Sequence, residues 1–241
     1  MRHVILVGAT HGMGLALAEA YVERWWRVGL VGRDPDRVAN EVRRLREGWP
    51  GSVVEGAVLD VTRRDEVGPV LDGLVEALGQ MDLLVYCAGV MEEGAEGAER
   101  TLAVNVLGAV DVLEWAAERF VEAGEGRVAA IGSVAGDRGR SGSPVYGASK
   151  AALHAYLEGL RHRLHPTGVG VTTVKPGWVR TRMLGDVPSF PPSVAASRAA
   201  RLIVRGLEAG RDVFYVPRWW WLVSAALRAL PRPLFKRVAP S

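Results

Sequence analysis

The stretch Val4-Ile5-Leu6-Val7-Gly8-Ala9-Thr10-His11-Gly12-Met13-Gly14 decides the fold class of this chain of 241 residues. Its apolar, β-branched first half predicts a buried strand, and a helical period begins directly after Gly14. Glycines at such a junction permit a sharp turn and let backbone N–H groups approach a phosphate at the helix N-terminus. A purely structural turn would explain the glycines equally well, so their place between a strand and a helix carries the argument.

The alternation of strand and helix continues to residue 216. Seven short runs rich in β-branched residues predict strands, and six stretches of helical period are long enough to connect parallel strands. We therefore predict an α/β fold, a single-domain Rossmann-type doubly wound parallel sheet with helices on both faces, over residues 1–217. Residues 218–241 form an apolar and basic C-terminal tail of the same domain. The predicted strands are 4–8, 28–32, 53–59, 83–87, 128–132, 169–174 and 213–216, and the predicted helices are 14–25, 35–47, 63–79, 99–123, 146–164 and 194–209.

Composition and charge exclude several classes of protein. Thirty basic and twenty-seven acidic residues leave a net charge of +3, which gives no reason to expect a nucleic-acid partner. The single cysteine, Cys87, excludes an internal disulfide and a cysteine metal cluster, and we predict no metal site. Residues 1–3 lead straight into a strand without the apolar stretch of a signal peptide, so we expect a cytoplasmic protein.

The end of the second predicted strand bears on the choice of cofactor. In doubly wound folds the residue at this point faces the adenosine ribose. An acidic side chain at Gly32 would accept hydrogen bonds from a free 2′-hydroxyl, whereas Arg33 offers a planar fork that matches a 2′-phosphate. The sequence therefore favours NADP(H) over NAD(H), with His11 as a second cationic contact. The alternatives are a surface arginine and a solvated turn residue.

Tyr146 and Lys150 are four positions apart near the start of a predicted helix, hence on one face. Reducing a carbonyl needs a proton donor aimed at the oxygen that becomes an alkoxide, and a phenol can serve. A phenol titrates near 10 and one nearby cation lowers its pKa by about one to three units, so Lys150 alone brings Tyr146 only to the edge of the working range. Ser133, at the end of a strand, would bind the same oxygen, and Asn105 could hold a water that connects Lys150 to solvent. Singly, each is equally well a structural residue.

The order of Asn105, Ser133, Tyr146 and Lys150, downstream of the glycine turn, resembles the catalytic tetrad of the short-chain dehydrogenase/reductase family. The resemblance covers roughly residues 3–216 and implies a homodimer or homotetramer formed through the helices that contain Asn105 and Tyr146. It also implies a set of cofactor contacts: Gly8, Thr10, His11, Gly12, Met13, Gly14, Arg33, Asp60, Val61, Ala88, Gly89, Asn105, Tyr146, Lys150, Pro176, Gly177, Val179 and Thr181.

Two positions depart from the family pattern. Val7 stands where the family has threonine, and Cys87 stands where it has an asparagine that braces the central sheet. We interpret Cys87 as a small buried hydrophobe, because no histidine accompanies it in sequence to activate a thiolate. Asp60 has an alternative to adenine contact, since it could equally cap the helix that is predicted to start near Arg63.

Two apolar segments contain none of the four tetrad residues. The stretch 182–192 carries Met183, Leu184, Val187 and Phe190 and predicts either a flap over an apolar substrate or a surface loop. The tail holds Trp219-Trp220-Trp221, but arginines interrupt it well below the ~20 residues that span a bilayer. Three roles stay open for it: peripheral membrane contact through 218–238, a subunit interface, and packing over the substrate cleft.

Together these features predict an NADP(H)-dependent oxidoreductase that moves hydride reversibly between nicotinamide and a carbonyl or secondary alcohol, with a lipophilic substrate. The competing hypothesis is a nucleotide-binding regulator or scaffold that keeps the fold without turnover. An extended sugar-nucleotide epimerase would need a further substrate domain of about one hundred residues, for which the tail leaves no room.

Overall fold

The central strands of this protein are buried on both faces, as a parallel sheet between two helical layers requires. The computed structural model describes residues 2–184 and 192–237. All five residues of β1 are buried, and neighbouring strands pair only in parallel. The strands of the main sheet are β1 (His3–Val7), β2 (Arg27–Gly32), β3 (Val54–Val58), β4 (Leu83–Tyr86), β5 (Arg127–Ile131), β6 (Gly170–Pro176) and β9 (Val213–Val216). A separate parallel pair consists of β7 (Val179–Arg180) and β8 (Val194–Ala195).

Two hydrophobic cores flank the sheet. The first packs α1, α2 and α7 on one face, and the second packs α3, α5 and α6 on the other. The helices are α1 (Gly12–Val22), α2 (Pro35–Gly48), α3 (Arg64–Leu78), α4 (Gly94–Leu102), α5 (Gly108–Ala123), α6 (Pro144–Leu164), α7 (Ala196–Glu208), α8 (Trp220–Ala229) and α9 (Arg232–Phe235).

The strand order is β3-β2-β1-β4-β5-β6-β9, so the direction of winding reverses between β1 and β4. In doubly wound sheets the ligand crevice lies at this reversal, outside the carboxyl ends of the strands. The predicted fold class is therefore confirmed. The segments that follow β1, β4, β5 and β6 meet at this one edge, and they carry most of the predicted site residues.

The predicted helix 99–123 is wrong at its start and in its continuity, whereas its end at 123 is confirmed. Helix α4 begins five residues earlier, at Gly94, and a π-helical turn over Ala103–Leu107 separates it from α5. The turn contains Asn105, whose fully buried side chain bonds to the backbone of Val90 rather than facing the helix exterior. Single π-turns within helices are frequent at functional sites, because they redirect one side chain. No periodicity in the sequence signals such a turn.

Candidate active site

The glycine turn after β1 is fixed against its neighbours by close backbone contacts. Gly8 adopts φ +85°, and a Cβ there would lie 2.5 Å from the Cα of Ala88 in the loop after β4. A Cβ at Gly14 would lie 2.3 Å from the carbonyl oxygen of Gly8. Any side chain at either position would therefore push the turn away from the sheet. Because His11, the N-cap residue of α1, makes no side-chain cap, the first N–H groups of the helix can receive an anion.

The glycine turn faces residues 176–181, at and directly after the end of β6. A Cβ at Gly12, which has φ +59°, would lie 3.6 Å from the methyl carbon of Thr181. Met13 is half-buried beside Gly12. The structure thus brings the glycine turn and residues 176–181, which hold four of the predicted cofactor contacts, to opposite sides of one crevice.

There is no room for a side chain, acidic or other, at Gly32 at the end of β2. A Cβ at Gly32 would lie 2.4 Å from the methyl carbon of Thr10, which is itself buried. A carboxylate at position 32 would require Thr10 to move. The first side chain past the strand is instead Arg33, which is exposed at the mouth of the crevice.

His11 lies near three arginines that disfavour the predicted cationic form of its ring. Its pKa is lowered by burial and by the positive charges of Arg37, Arg182 and Arg33, so its imidazole is neutral at pH 7. Sequence reasoning missed Arg37 and Arg182. Arg37 lies in the first turn of α2, where a positive charge opposes the helix dipole, and that mismatch is the signal that could have identified it.

Asp60 does not cap α3, so that alternative is wrong. Its carboxylate accepts hydrogen bonds from the N–H of Thr62 at 3.0 Å and from the Thr62 hydroxyl at 2.8 Å, while Arg63 is the N-cap residue and makes no side-chain cap. Burial raises the pKa of Asp60, but the Thr62 hydrogen bonds and the charge of Arg33 together lower it by more. The pKa of Asp60 is therefore below its usual value. Asp60 therefore lies near Arg33 as a carboxylate. Val61 is buried next to it.

Tyr146 and Lys150 occupy successive turns of α6, next to Ser133 at the end of β5. The Lys150 ammonium donates a hydrogen bond to the carbonyl oxygen of Ile131 at 2.9 Å and lies 5.7 Å from the centre of the Tyr146 ring. Burial lowers the pKa of Lys150 to about 8, although the nearby Cys87 raises it slightly. Burial raises the pKa of Tyr146, and a hydrogen bond with Ser133 opposes that shift. The phenol is therefore protonated at pH 7 and lies beside the Ser133 hydroxyl and the Lys150 ammonium.

Asn105 braces the loop after β4. Its amide nitrogen donates to the carbonyl oxygen of Val90 and to the Ser149 hydroxyl, both at 2.9 Å, and its amide oxygen accepts from the N–H of Val90 at 2.8 Å. Both N–H groups are thus committed, and any water that Asn105 holds must use the remaining lone pair of the oxygen. That oxygen and the Lys150 ammonium both face Gly89, because a Cβ at Gly89 would lie 3.4 Å and 3.5 Å from them.

The surroundings of the Cys87 thiol disfavour its ionisation. It is half-buried, and its sulfur donates to the carbonyl oxygen of Val85 at 3.7 Å. Burial raises the pKa of Cys87 to about 12, even though Lys150 lowers it. A thiol with such a pKa carries almost no thiolate at pH 7, which fits the interpretation of Cys87 as a small hydrophobe.

The N-terminus of α6 is capped from a distant loop. The Glu93 carboxylate, which follows β4, accepts hydrogen bonds from the N–H groups of Val145 and Tyr146, both at 3.0 Å. It thereby fixes the turn of helix that carries the Tyr146 phenol. Sequence reasoning missed Glu93, because the capping contact spans more than fifty positions.

Replacing Glu93 by alanine should lower both stability and turnover. Two N–H groups of α6 would lose their acceptor, at a cost of about 0.5–2 kcal/mol, and Tyr146 would be less firmly placed. Thermal unfolding and kcat/KM measure the two effects. Glu92→Ala is the matched control, because the Glu92 side chain makes only an exposed ion pair with Arg100 at 3.1 Å. Equal losses in the two variants would contradict a role of Glu93 in placing Tyr146.

The backbone of Ser133 is held by a buried polar cluster behind the site. Its N–H donates to Nε2 of His154 at 3.4 Å, and burial together with Lys175 lowers the pKa of His154 to about 3. The other ring nitrogen of this neutral imidazole lies 3.7 Å from the carboxylate of Asp137. The same carboxylate accepts from Lys175 at 2.6 Å and from the Tyr215 hydroxyl at 2.9 Å. The sequence singled out none of these four partners.

Gly177, directly after β6, makes room for the C-terminal tail. A Cβ at Gly177 would lie 1.9 Å from the indole nitrogen of Trp220. Pro176 and Val179, on either side of Gly177 in sequence, are buried, and Thr181 lies next to Gly12 at the crevice. The predicted flap is described only in part: Met183 is 40% exposed, while Val187 and Phe190 lie outside the described residues.

The comparisons with known proteins decide the family. The family model described as short chain dehydrogenase matches residues 2–191. The chain belongs to this family. An uncharacterized oxidoreductase of Staphylococcus saprophyticus is 34% identical over 188 residues, which cover 76% of this chain and 80% of that protein. The resemblance inferred from the tetrad and the glycine turn is thereby confirmed, and the chain is an oxidoreductase of the short-chain dehydrogenase type.

Solved structures of the family match nearly the whole chain. A short-chain dehydrogenase from Sphingobium yanoikuyae in complex with NADPH is 29% identical, with a TM-score of 0.82, over 99% of this chain and 97% of its own. A short-chain dehydrogenase/reductase from Burkholderia phymatum in complex with NAD is 23% identical, with a TM-score of 0.86, over 100% of this chain and 96% of its own. The second match shows the fold alone. The two cofactors differ, so these neighbours do not decide the cofactor preference of this dehydrogenase.

Proposed function

We propose that this dehydrogenase catalyses reversible, NADP(H)-dependent hydride transfer between nicotinamide and a carbonyl or secondary alcohol of a lipophilic substrate. The observation that carries the proposal is the buried Lys150 ammonium, held by the Ile131 carbonyl beside the protonated Tyr146 phenol and the Ser133 hydroxyl. A regulator that only bound a nucleotide would have no use for a buried cation beside a phenol. Burying an ammonium costs stability, so its presence beside the phenol favours a catalytic role.

The crevice fits a dinucleotide phosphate. The turn Gly8–Gly14 and the uncapped N-terminus of α1 would hold the pyrophosphate, since side chains at Gly8 or Gly14 would fill that cradle. Arg33, with Arg37, would bind the 2′-phosphate. Asp60 and Val61 would contact the adenine, and Ala88, Gly89, Pro176, Gly177, Val179 and Thr181 would line the nicotinamide end. When bound, the nicotinamide supplies or accepts the hydride.

The protein side of the reaction is a proton transfer at Tyr146. In the reducing direction the phenol donates its proton to the carbonyl oxygen, and the Ser133 hydroxyl donates a hydrogen bond to the same oxygen. Lys150 stabilises the phenolate that results. Its pKa of about 8 lets the ammonium release a proton to the phenolate and regain one through the region of Gly89 and Asn105. In the oxidising direction each step runs backwards.

Arg33→Ala should lower kcat/KM with NADPH and leave kcat/KM with NADH nearly unchanged. Hydrogen bonds to a charged phosphate contribute about 1.5–3 kcal/mol, which corresponds to a loss of roughly tenfold to more than a hundredfold. Arg43→Ala, an exposed arginine on α2, is the matched control. A wild-type enzyme that prefers NADH, or an equal loss with both cofactors, would overturn the assignment of Arg33.

A panel of carbonyl substrates of increasing apolar size, followed by nicotinamide absorbance with NADPH and NADH in parallel, tests the reaction. We expect turnover that improves with the apolar size of the substrate. Tight NADPH binding with no turnover across the panel would favour the non-catalytic regulator instead.

We also propose that the enzyme is a homodimer or homotetramer assembled through α4, α5 and α6. Three large apolar side chains are exposed along α4, the π-turn and α5: Leu102 at 42%, Leu107 at 59% and Val121 at 41%. Apolar surface of this kind is typical of subunit contacts. Light scattering coupled to gel filtration would give the subunit number, and a monomer at micromolar concentration would contradict the proposal.

A further inference from the structure

The C-terminal tail is attached to its own subunit by one face of α8. Trp220 is 1% exposed, stacks on Trp219 with ring centres 4.8 Å apart, and packs against Gly177. One turn later, the buried Ser224 donates a hydrogen bond to the carboxylate of Asp137. The inner face of this helix is therefore a specific contact with the segment that follows Ser133.

Arg138 extends the attachment to α9. Its guanidinium donates hydrogen bonds to the carbonyl oxygens of Leu227 and Leu230, the latter at 2.6 Å, and lies 3.8 Å over the ring of Phe235. Helices α8 and α9 are thus held at the carboxyl edge of the sheet, beside the active site. These contacts fix the orientation of both helices and therefore determine which of their side chains face away from the subunit.

That outer face is apolar and carries charge of one sign. Trp221 is 47% exposed, Leu222 is 54% exposed and Leu234 is 52% exposed. The last acidic residue of the chain is Asp212, so every ionisable side chain of the tail is basic. These basic residues are Arg218, Arg228, Arg232, Lys236 and Arg237.

We propose that this outer face of α8 and α9 docks on the surface of an anionic phospholipid membrane. Tryptophan and leucine beside arginine and lysine suit the boundary between headgroups and acyl chains. Each basic residue near an anionic surface strengthens partitioning by about fivefold. None of the helices within 2–184 and 192–237 is long and apolar enough to cross a membrane, which fits a helix pair lying in the headgroup region.

A second copy of the chain fits this face less well. In a two-fold symmetric contact the same patch meets itself, and here that would bring two sets of basic side chains together with no acidic side chain in the tail to neutralise them. An anionic lipid surface supplies the missing negative charge. The docking itself does not depend on the proposed reaction, although it would turn the crevice towards substrates dissolved in the bilayer.

Co-sedimentation of the full chain with vesicles tests the proposal. We expect binding to vesicles of phosphatidylcholine mixed with phosphatidylglycerol, weak binding to phosphatidylcholine alone, and release when salt rises from ~0.1 M to ~1 M, where the screening length falls from about 10 Å to about 3 Å. Arg228→Glu should weaken binding by about fivefold or more. Arg43→Glu on α2 is its matched control and should bind as the wild type does.

A tryptophan pair supplies the second arm. Trp221→Ser should lower partitioning at least about fivefold, because it removes an interfacial anchor. Trp25→Ser is the matched control, since Trp25 is 56% exposed and precedes β2 at the opposite edge of the sheet. Both side chains are exposed, so both variants should keep the wild-type unfolding midpoint.

Three outcomes would overturn the proposal. The first is a wild-type protein that stays in the supernatant with phosphatidylglycerol vesicles. The second is an equal loss of binding in Trp25→Ser and Trp221→Ser. The third is an oligomer that Trp221→Ser dissociates in light scattering, with no vesicle binding by the wild type, which would assign the face to a second copy of the chain.

Discussion

Tyr146→Phe should lower kcat/KM for carbonyl reduction by about 10²- to 10⁴-fold, the range that a positioned general acid contributes. The substitution removes one hydroxyl and keeps the ring, which Lys150 approaches to 5.7 Å. Packing and cofactor binding should therefore change little, and the loss should fall on kcat. Stopped-flow measurement of NADPH oxidation would report the loss in kcat, and a separate NADPH titration would show whether cofactor binding has changed.

The matched control is Tyr156→Phe on the same helix. The Tyr156 hydroxyl donates to the carboxylate of Glu114 at 2.9 Å, away from the crevice, so its loss should leave kcat/KM within about twofold of the wild type. A Tyr146→Phe enzyme that kept more than about a tenth of wild-type activity would rule out the phenol as the essential acid.

The activity should depend on pH with opposite signs in the two directions. Reduction needs the phenol protonated, so kcat/KM for reduction should fall as the pH rises through the pKa of the Tyr146 and Lys150 pair. Alcohol oxidation needs the phenolate and should rise over the same range. Burial raises the pKa of Tyr146 and lowers the pKa of Lys150 to about 8, so we expect these changes on the alkaline side of neutrality. A profile that is flat from pH 7 to pH 10 in both directions would contradict this assignment.

Lys150→Met and Lys150→Arg should both reduce kcat/KM by about 10²-fold or more, within the range for loss of an acid-base group. Methionine removes the charge that favours the phenolate. Arginine keeps a charge but cannot release its proton, and its larger fork must fit beside Gly89 and the Ile131 carbonyl, which overpacks the site at about 1–3 kcal/mol. Rescue by Lys150→Arg would show that charge alone suffices and would contradict the proton exchange.

The same residue predicts a dependence of stability on pH. Its folded pKa of about 8 is below the value of about 10.4 for an unfolded lysine, so between these values the unfolded chain holds more protons than the native one. The contribution of Lys150 to the free energy of unfolding should therefore increase as pH rises from 8 to about 10.4. Chemical denaturation of the wild type and Lys150→Met across this range measures it, and parallel curves would contradict the burial of a charged Lys150.

The sequence alone predicted those features of this dehydrogenase that depend on neighbours in the chain. The turn Gly8–Gly14 follows a strand and opens a helix, and Tyr146 and Lys150 share a helix face four positions apart. Period and spacing express such relations directly. The parallel sheet followed in the same way, since each connecting helix was visible as a period between two apolar runs.

Only the tertiary structure decided the contacts that hold these features in place. Glu93 caps the helix of Tyr146, and His154 holds the backbone of Ser133. The π-turn at Asn105 and the fit of Trp220 over Gly177 belong to the same group. Each joins segments that the strand order, rather than the chain, makes neighbours. A side chain that acts across the sheet leaves no period or spacing in the sequence, because its partner is chosen by how the strands are stacked.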